Sequence, residues 1–293
     1  MDSEPNRRTF ICRGAMLAAA AAIGLPRSGG AEEPPAAAPK VPTIKLGTLE
    51  VSRLILGSNP FWGYAHQPGK VGEEMKAYFT DERIMAVLDE AAGFGITALA
   101  TPPEERWLKL YARYVEGGGK LRIWIAQPHG KPEQMKEEIT RAVNGGAKAV
   151  FIQGARAEEQ FGQGKLNVLR EWVEHIKGLG VPAGLASHRP DLHPEAEKQG
   201  LPTDFYYQCF YRPENYLPED RAKAVETIQR IEKPVVAYKI LAAGRLSAEE
   251  GFTFAFKNIR RKDGVCVGVF PKQKPEQIRE DAALTEKLSK AAE

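Results

Sequence analysis

The sequence predicts an α/β protein, a (β/α)8 TIM barrel with an N-terminal β-hairpin, from three observations. Short apolar runs alternate with amphipathic helical stretches throughout residues 43–293. Eight strand–helix units follow one another, and such alternation implies a parallel sheet. Because crossovers between parallel strands are right-handed, eight successive units can close into a barrel. A doubly wound open sheet fits the same alternation and is the alternative fold.

The predicted strands are apolar runs bounded by glycine, proline or polar residues. They are Arg53–Ser58, Ile96–Ala100, Leu121–Ala126, Ala147–Gln153, Pro182–Ser187, Phe205–Phe210, Val235–Leu241 and Val265–Phe270. The leading segment Ile44–Val51 alternates around a Gly-Thr turn. We expect it to form a hairpin that plugs the floor of the barrel.

Helix signals separate these strands. Thr80 is the expected N-cap of a helix whose apolar residues fall on one face. Those residues are Ile84, Val87, Leu88 and Ala91. Further helices are predicted around Trp107–Tyr114, Pro132–Val143 and Leu166–Ile176, and near Pro218, Ser247 and Pro275. After Ser187 only a short helix around Glu195 is expected.

The segment ahead of the barrel predicts export. Residues 1–31 place Arg7 and Arg8 before an alanine-rich apolar run, which is the pattern of a twin-arginine signal peptide. The run is shorter than the roughly 20 residues that span a bilayer, so we expect no stable membrane anchor. Residues 32–42 are rich in Pro and Ala and predict a linker. The chain should use the twin-arginine export machinery and work in the periplasm or outside the cell.

Charge and cysteine content exclude several functions. Residues 1–31 hold four of the 41 basic and two of the 38 acidic residues. The remaining chain is therefore nearly neutral, with no basic face for nucleic acid and no polybasic membrane patch. Cys209 and Cys266 lie in apolar strands and are expected to be buried free thiols.

Polar residues end nearly every predicted strand, where the active sites of such barrels lie. They are Ser58, Asn59, Thr101, Gln127, Gln153, Ser187, His188, Gln208, Tyr238, Lys239 and Lys272. The amides of Asn59, Gln127 and Gln153, beside the aromatic face of Trp62, predict a site for a small polar, sugar-like molecule. Trp62 and Phe61 serve equally well as a cap on the core.

Three segments resemble the aldo-keto reductases, in an order and spacing that cover nearly all of residues 43–293. They are Leu46–Gly57, Val236–Gly244 and Phe270–Asp281. The resemblance implies an oxidoreductase that binds NADP. It implies that Ser187 and Gln208 hold the nicotinamide amide and that Tyr238 stacks on its ring. It also implies that Lys272 and Lys274 bind phosphate beside a helix N-terminus.

The sequence departs from this family at its four catalytic positions. The aspartate, tyrosine, lysine and histidine positions fall on or near Ala100, Glu105, Gln127 and Gln153. A glutamine is not a useful proton donor, and His188 replaces the family's amide-holding asparagine. Lys239, His66 and His188 are the candidate replacements as acid or base. His66, His129 and His188 have no metal-binding spacing, so no metal is expected.

Two functions remain open at this point. One is an exported oxidoreductase of the aldo-keto reductase type with altered catalytic groups and NADP. The other is a barrel that has lost the cofactor and acts as a lyase, isomerase or hydrolase, or as a binding protein for a polar ligand.

Overall fold

A computed structural model gives the structure of residues 39–212 and 215–291. The signal peptide predicted for residues 1–31, and most of the linker predicted after it, lie outside the described residues. The end of that linker packs against the barrel. Val41 is buried in the core, and the Arg53 backbone N–H donates to the Pro42 carbonyl oxygen at 2.7 Å.

Eight parallel strands close into a barrel, which confirms the predicted fold and excludes the open sheet. A separate antiparallel hairpin joins β1 (Thr43–Leu46) to β2 (Leu49–Ser52). The barrel strands are β3 (Leu54–Gly57), β4 (Ala98–Thr101), β5 (Ile123–Ala126), β6 (Ala149–Ile152), β7 (Ala183–Ser187), β8 (Phe205–Cys209), β9 (Val235–Tyr238) and β10 (Gly264–Gly268). They pair in chain order, and β10 pairs with both β9 and β3, which closes the ring.

Helices surround this ring. They are α1 (Val71–Tyr78), α2 (Asp81–Gly93), α3 (Glu105–Glu116), α4 (Met135–Asn144), α5 (Gly154–Gly162), α6 (Leu166–Gly178), α7 (Leu192–Lys198), α8 (Pro218–Arg230), α9 (Ala248–Asn258) and α10 (Gln277–Ala291). The side chains of Thr80 and Ser247 cap α2 and α9 by accepting from Arg83 N and Glu250 N, as such N-caps do. No helix in the described part of the chain is long and apolar enough to cross a membrane.

Two helices, α1 and α5, were not predicted from the sequence. The α5 segment carries glycine at both ends and mostly polar residues between them, so it lacks the apolar periodicity that predicts a helix. It is held instead by a narrow buried face of Gly154, Ala157 and Gln160.

The hairpin seals the floor of the barrel, as predicted. Ile44, Leu46 and Val51 are buried together with residues from the inner faces of the strands. The turn residue Gly47 lies against Pro182 and Asp204, which precede β7 and β8. The hairpin therefore covers the amino ends of the strands and leaves their carboxyl ends open.

A second, larger core lies between the strands and the helices. One buried carboxyl group, Asp281 on α10, adjoins this core and forms no ion pair within residues 39–212 and 215–291. Burial, reinforced by the neighbouring Glu280 carboxylate, raises the pKa of Asp281 to about 8. Asp281 therefore stays protonated in the folded protein at neutral pH.

Asp281 should make the protein less stable as the pH rises. In the unfolded chain this group ionises near the ordinary aspartate pKa of 3.8. Between about pH 4 and pH 8 the folded state binds one more proton than the unfolded state, so the free energy of unfolding falls with pH. Asp281→Asn mimics the protonated acid. It should raise Tm at pH 8 and leave Tm nearly unchanged near pH 4. The gain in the free energy of unfolding at pH 8 should be on the order of a few kcal/mol.

Thermal melts at a series of pH values check this expectation. Glu276→Gln, which alters an exposed carboxylate near the start of the same helix, is the matched control and should keep the wild-type pH dependence. Parallel curves for Asp281→Asn and wild type would show that Asp281 does not ionise differently in the folded state.

Candidate active site

A cavity of about 260 Å³ opens at the carboxyl ends of the strands. Six of the predicted site residues line it: Ser58, Asn59, His66, Gln127, Tyr238 and Lys239. Its remaining wall includes small residues at the strand ends, Gly57, Ala100, Ala186 and Gly268. The fold thus brings together groups from strand ends and loops that lie far apart in the sequence.

Lys239 and His66 meet at the rim although 173 residues separate them. Lys239 Nζ lies 3.2 Å from His66 Nε2, and Asn59 Nδ2 lies 3.4 Å from the same nitrogen. Both neighbouring nitrogens are donors, because an ammonium group has no lone pair and the amide nitrogen carries hydrogens. His66 Nε2 is therefore the acceptor, and the imidazole is neutral with its proton on Nδ1.

The electrostatic surroundings of His66 agree with this protonation state. Burial lowers the pKa of His66 to about 4, and the positive charges of Lys239, His188 and Arg245 lower it in the same direction. At neutral pH the imidazole is consequently uncharged, and its Nε2 atom, which accepts from Lys239, lies at the mouth of the cavity.

Both residues of this pair have a left-handed backbone conformation. His66, in the loop after β3, has a φ of 50°, and Lys239, in the loop after β9, has a φ of 57°. Farther along the loop after β9, Ala242 and Ala243 have φ values of 48° and 56°. Left-handed φ values are uncommon outside glycine and cost on the order of 1–3 kcal/mol each. Arg245 joins the two loops by donating from Nη1 to the carbonyl oxygens of His66 and Ala242. Strain of this kind clusters at functional sites.

The floor of the cavity is aromatic, a feature that the sequence analysis did not identify. The rings of Phe151 and Tyr207 stack with centroids 4.0 Å apart and an interplanar angle of 11°. Burial holds the pKa of both Tyr207 and Tyr238 well above the usual value. Neither phenol is therefore acidic enough to take the place of a catalytic tyrosine. Phe205 and Tyr207 are two residues apart on β8, so their side chains point to the same, inner face of the barrel. This spacing of two aromatic residues could have predicted an aromatic floor from the sequence.

Ser187 and Gln208 do not reach the cavity. Their backbones pair on adjacent strands, but their side chains enter the barrel wall and are 0% and 1% exposed. Ser187 Oγ donates to Glu158 Oε1 at 2.9 Å. Gln208 Nε2 donates to the Cys209 carbonyl oxygen at 3.2 Å. In this conformation neither side chain can touch a ligand at the mouth.

Several other predicted site residues, including the candidate base His188, do not line the cavity either. Trp62 donates from Nε1 to Thr101 Oγ1 at 3.1 Å, and Gln153 stands at the N-cap position of α5. His129 pairs with Glu104 at 2.9 Å. In the described ranges no three His, Cys, Asp or Glu side chains converge into a set that could hold a metal ion.

Lys272 and Lys274 flank the loop before α10, where the resemblance implies a phosphate site. Both are half-exposed. Lys272 Nζ lies 3.8 Å from Glu74 Oε2, and Lys274 pairs with Glu280. Each positive charge is therefore partly neutralised by a carboxylate.

The cavity residues do not fit a nicotinamide in the way that the resemblance implies. Of the expected ring and amide contacts, only the Tyr238 ring lines the wall. The two amide-holding side chains, Ser187 and Gln208, are fully buried elsewhere.

The four catalytic positions of the family carry no acid or base in the cavity. Ala100 and Gln127 line it, Gln153 does not, and Glu105 is an exposed partner of Lys109 on α3. Any acid or base acting in this cavity would therefore have to come from other residues.

Comparison with known proteins identifies the fold. No protein-family model matches the sequence, and no curated protein resembles it at a significant level. Two solved structures from Pseudomonas aeruginosa, both named provisionally as aldo-keto reductases, share the barrel with TM-scores of 0.60 and 0.58. Each has 16% sequence identity to this chain. The matched region covers 84% of this chain and 95% and 94% of the two Pseudomonas aeruginosa chains. The chain has the barrel fold of these proteins.

Replacing Lys239 should change the titration of His66. Lys239→Met removes the positive charge nearest to Nε2 while keeping an unbranched side chain. The pKa of His66 should rise from about 4 yet stay below that of free histidine, because burial is the larger cause. Nuclear magnetic resonance titration of the imidazole protons measures this shift. Lys272→Met is the control, because Lys272 pairs with Glu74 and does not line the cavity. An unchanged pKa of His66 in Lys239→Met would refute the proximity of the two groups.

Proposed function

We propose that this chain is an enzyme that transfers a proton at a carbon next to a carbonyl group in a small polar molecule. His66 is the base, and Lys239 stabilises the developing oxyanion. The Lys239–His66 pair carries this proposal, because it unites a neutral imidazole and an ammonium group at 3.2 Å on strained backbone. General bases and preorganised cations of this kind lower the barrier to enolisation.

The cavity supports a small, hydroxylated ligand. Its volume of about 260 Å³ falls just below the ~300–1,000 Å³ range of drug-sized pockets. The amides of Asn59 and Gln127 offer both donors and acceptors, and the Phe151–Tyr207 stack offers an aromatic face. This combination suits a monosaccharide or a shorter hydroxyketone. Isomerisation and elimination are the reactions that begin with such a proton transfer.

An NADP-dependent oxidoreductase of the aldo-keto reductase type is the second candidate. The barrel shared with the two Pseudomonas aeruginosa structures and the Tyr238 ring in the cavity wall favour it. It requires Ser187 and Gln208 to turn out of the barrel wall, or other side chains to hold the nicotinamide amide.

Proton exchange in deuterium oxide tests the first candidate directly. Purified protein is incubated with dihydroxyacetone or erythrulose, and deuterium incorporation next to the carbonyl is followed by nuclear magnetic resonance. Wild type should accelerate exchange above the buffer rate. His66→Gln and Lys239→Met should each lower the enzymatic rate by roughly 10²–10⁴, while Lys272→Met should retain it.

Titration of the same protein with NADP and NADPH separates the two candidates. Exchange without cofactor binding supports proton transfer. Binding of NADPH that is unaffected by Lys239→Met, together with no exchange above the buffer rate, would overturn the first candidate in favour of the second.

We also propose that the enzyme is exported, since Arg7 and Arg8 precede an apolar run. Replacing both arginines by lysine should retain the full-length chain in the cytoplasm, which cell fractionation measures. Equal export of this variant and wild type would contradict the twin-arginine route.

A further inference from the structure

We infer that Glu158 is a positioning residue for His188, and that it makes His188 Nε2 a second proton-transferring atom of the candidate active site. This inference rests on the proposed function, because it assigns an additional group to the same reaction. It stands on the contacts of a carboxylate that the sequence analysis did not single out.

Glu158 reaches from α5 to the loop after β7 and is held there by several donors. Its Oε1 accepts from Ser187 Oγ at 2.9 Å, from the His188 backbone N–H and from the Arg189 backbone N–H at 3.2 Å. These contacts fix the carboxylate, and its pKa is lowered by the hydrogen bonds and charge of His188 despite the opposing effect of burial. Glu158 is therefore ionised and stationary.

The same oxygen orients the His188 ring. His188 Nδ1 lies 3.3 Å from Glu158 Oε1. A carboxylate can only accept, so it favours a proton on Nδ1 whether the ring is neutral or charged. Nε2 is then the nitrogen left to exchange protons with a ligand.

The position of the ring depends on a glycine. A Cβ added to Gly154 would lie 3.2 Å from both Nδ1 and Cε1 of His188, which is tighter than an ordinary contact. Gly154 thus permits the close approach of α5 that brings Glu158 to the histidine.

His188 lies next to the wall of the cavity that holds the Lys239–His66 pair, although its side chain is not one of those that line the cavity. Its ring centroid lies 5.7 Å from that of Tyr238 in an edge-on arrangement, and Tyr238 lines the cavity. A positive charge on His188 lowers the pKa of His66. One histidine, His66, therefore lies beside a lysine at the mouth of the cavity, and a second, His188, lies beside a carboxylate behind the Tyr238 ring. Opposite surroundings of this kind separate the roles of base and acid.

The division of roles balances over the two steps of an isomerisation. His66 takes a proton from the carbon next to the carbonyl, the electron pair forms a carbon–carbon double bond, and protonated His188 gives its Nε2 proton to the carbonyl oxygen. In the second step His66 gives its proton to the former carbonyl carbon. His188 regains a proton from the hydroxyl group of the neighbouring carbon, which becomes the new carbonyl. A ligand with adjacent hydroxyl and carbonyl groups satisfies this sequence without a co-reactant.

The tautomer of His188 tests the inference without any substrate. Long-range nitrogen–proton correlation spectra of the wild-type protein should show the proton of the His188 ring on Nδ1. Glu158→Gln should admit the Nε2–H tautomer that free histidine favours. Glu159→Gln, which alters the adjacent carboxylate paired with Arg156 at 3.0 Å, should not. A wild-type His188 found mainly as the Nε2–H tautomer would overturn the inference.

Kinetics then distinguish positioning from simple structural support. In the dihydroxyacetone exchange assay, Glu158→Gln should lower kcat by roughly tenfold or more with little change in KM, and Glu159→Gln should match wild type. An unchanged kcat with a displaced tautomer would also overturn the role of His188. Failure of His66→Gln to affect exchange would refute the proposed function instead, while the tautomer result would stand on its own.

Discussion

The closed barrel depends on the matching of large and small side chains across its inner face. A Cβ on Gly184 of β7 would lie 2.5 Å from the Phe205 ring of β8, and one on Gly264 of β10 would lie 2.9 Å from Ile44 of the hairpin. Because protein interiors are packed as densely as organic crystals, these large side chains fit only where a neighbouring strand supplies no side chain. The lower barrel is therefore filled, and the hairpin completes its floor.

The same matching leaves a space at the opposite end. Gly57, Ala100 and Ala186 contribute little volume to the upper layer, whereas Phe151 and Tyr207 stack beneath the cavity and form its floor. The cavity is thus the consequence of an uneven distribution of side-chain volume around the ring. Polar side chains then meet at its rim from two loops, one after β3 and one after β9. Arg245 ties these loops together, so the positions of His66 and Lys239 are linked.

The sequence predicted the elements of the barrel well because their signals are local. Thr80 and Ser247 are caps, and the alternation around Gly47 marks the hairpin. Whether the Ser187 side chain points into the barrel or into its wall was not predictable in this way. Strand β7 is buried on both faces, and such strands carry no polar alternation that would tell the inner face from the outer. The contact of Lys239 with His66 depends on ring closure, because β10 pairs with both β3 and β9 and so brings the loops after those two strands together. No local sequence pattern records such a contact. Glu158 was missed for the same reason.

The sealed floor has a consequence for turnover. Ile44, Leu46 and Val51 close the amino end of the barrel, so in the described structure a ligand in the cavity reaches solvent through the mouth. Arrival and departure then share one passage, and a bound product obstructs the next molecule. An enzyme built on this plan should show competitive product inhibition, and its rate of product escape sets an upper limit on kcat.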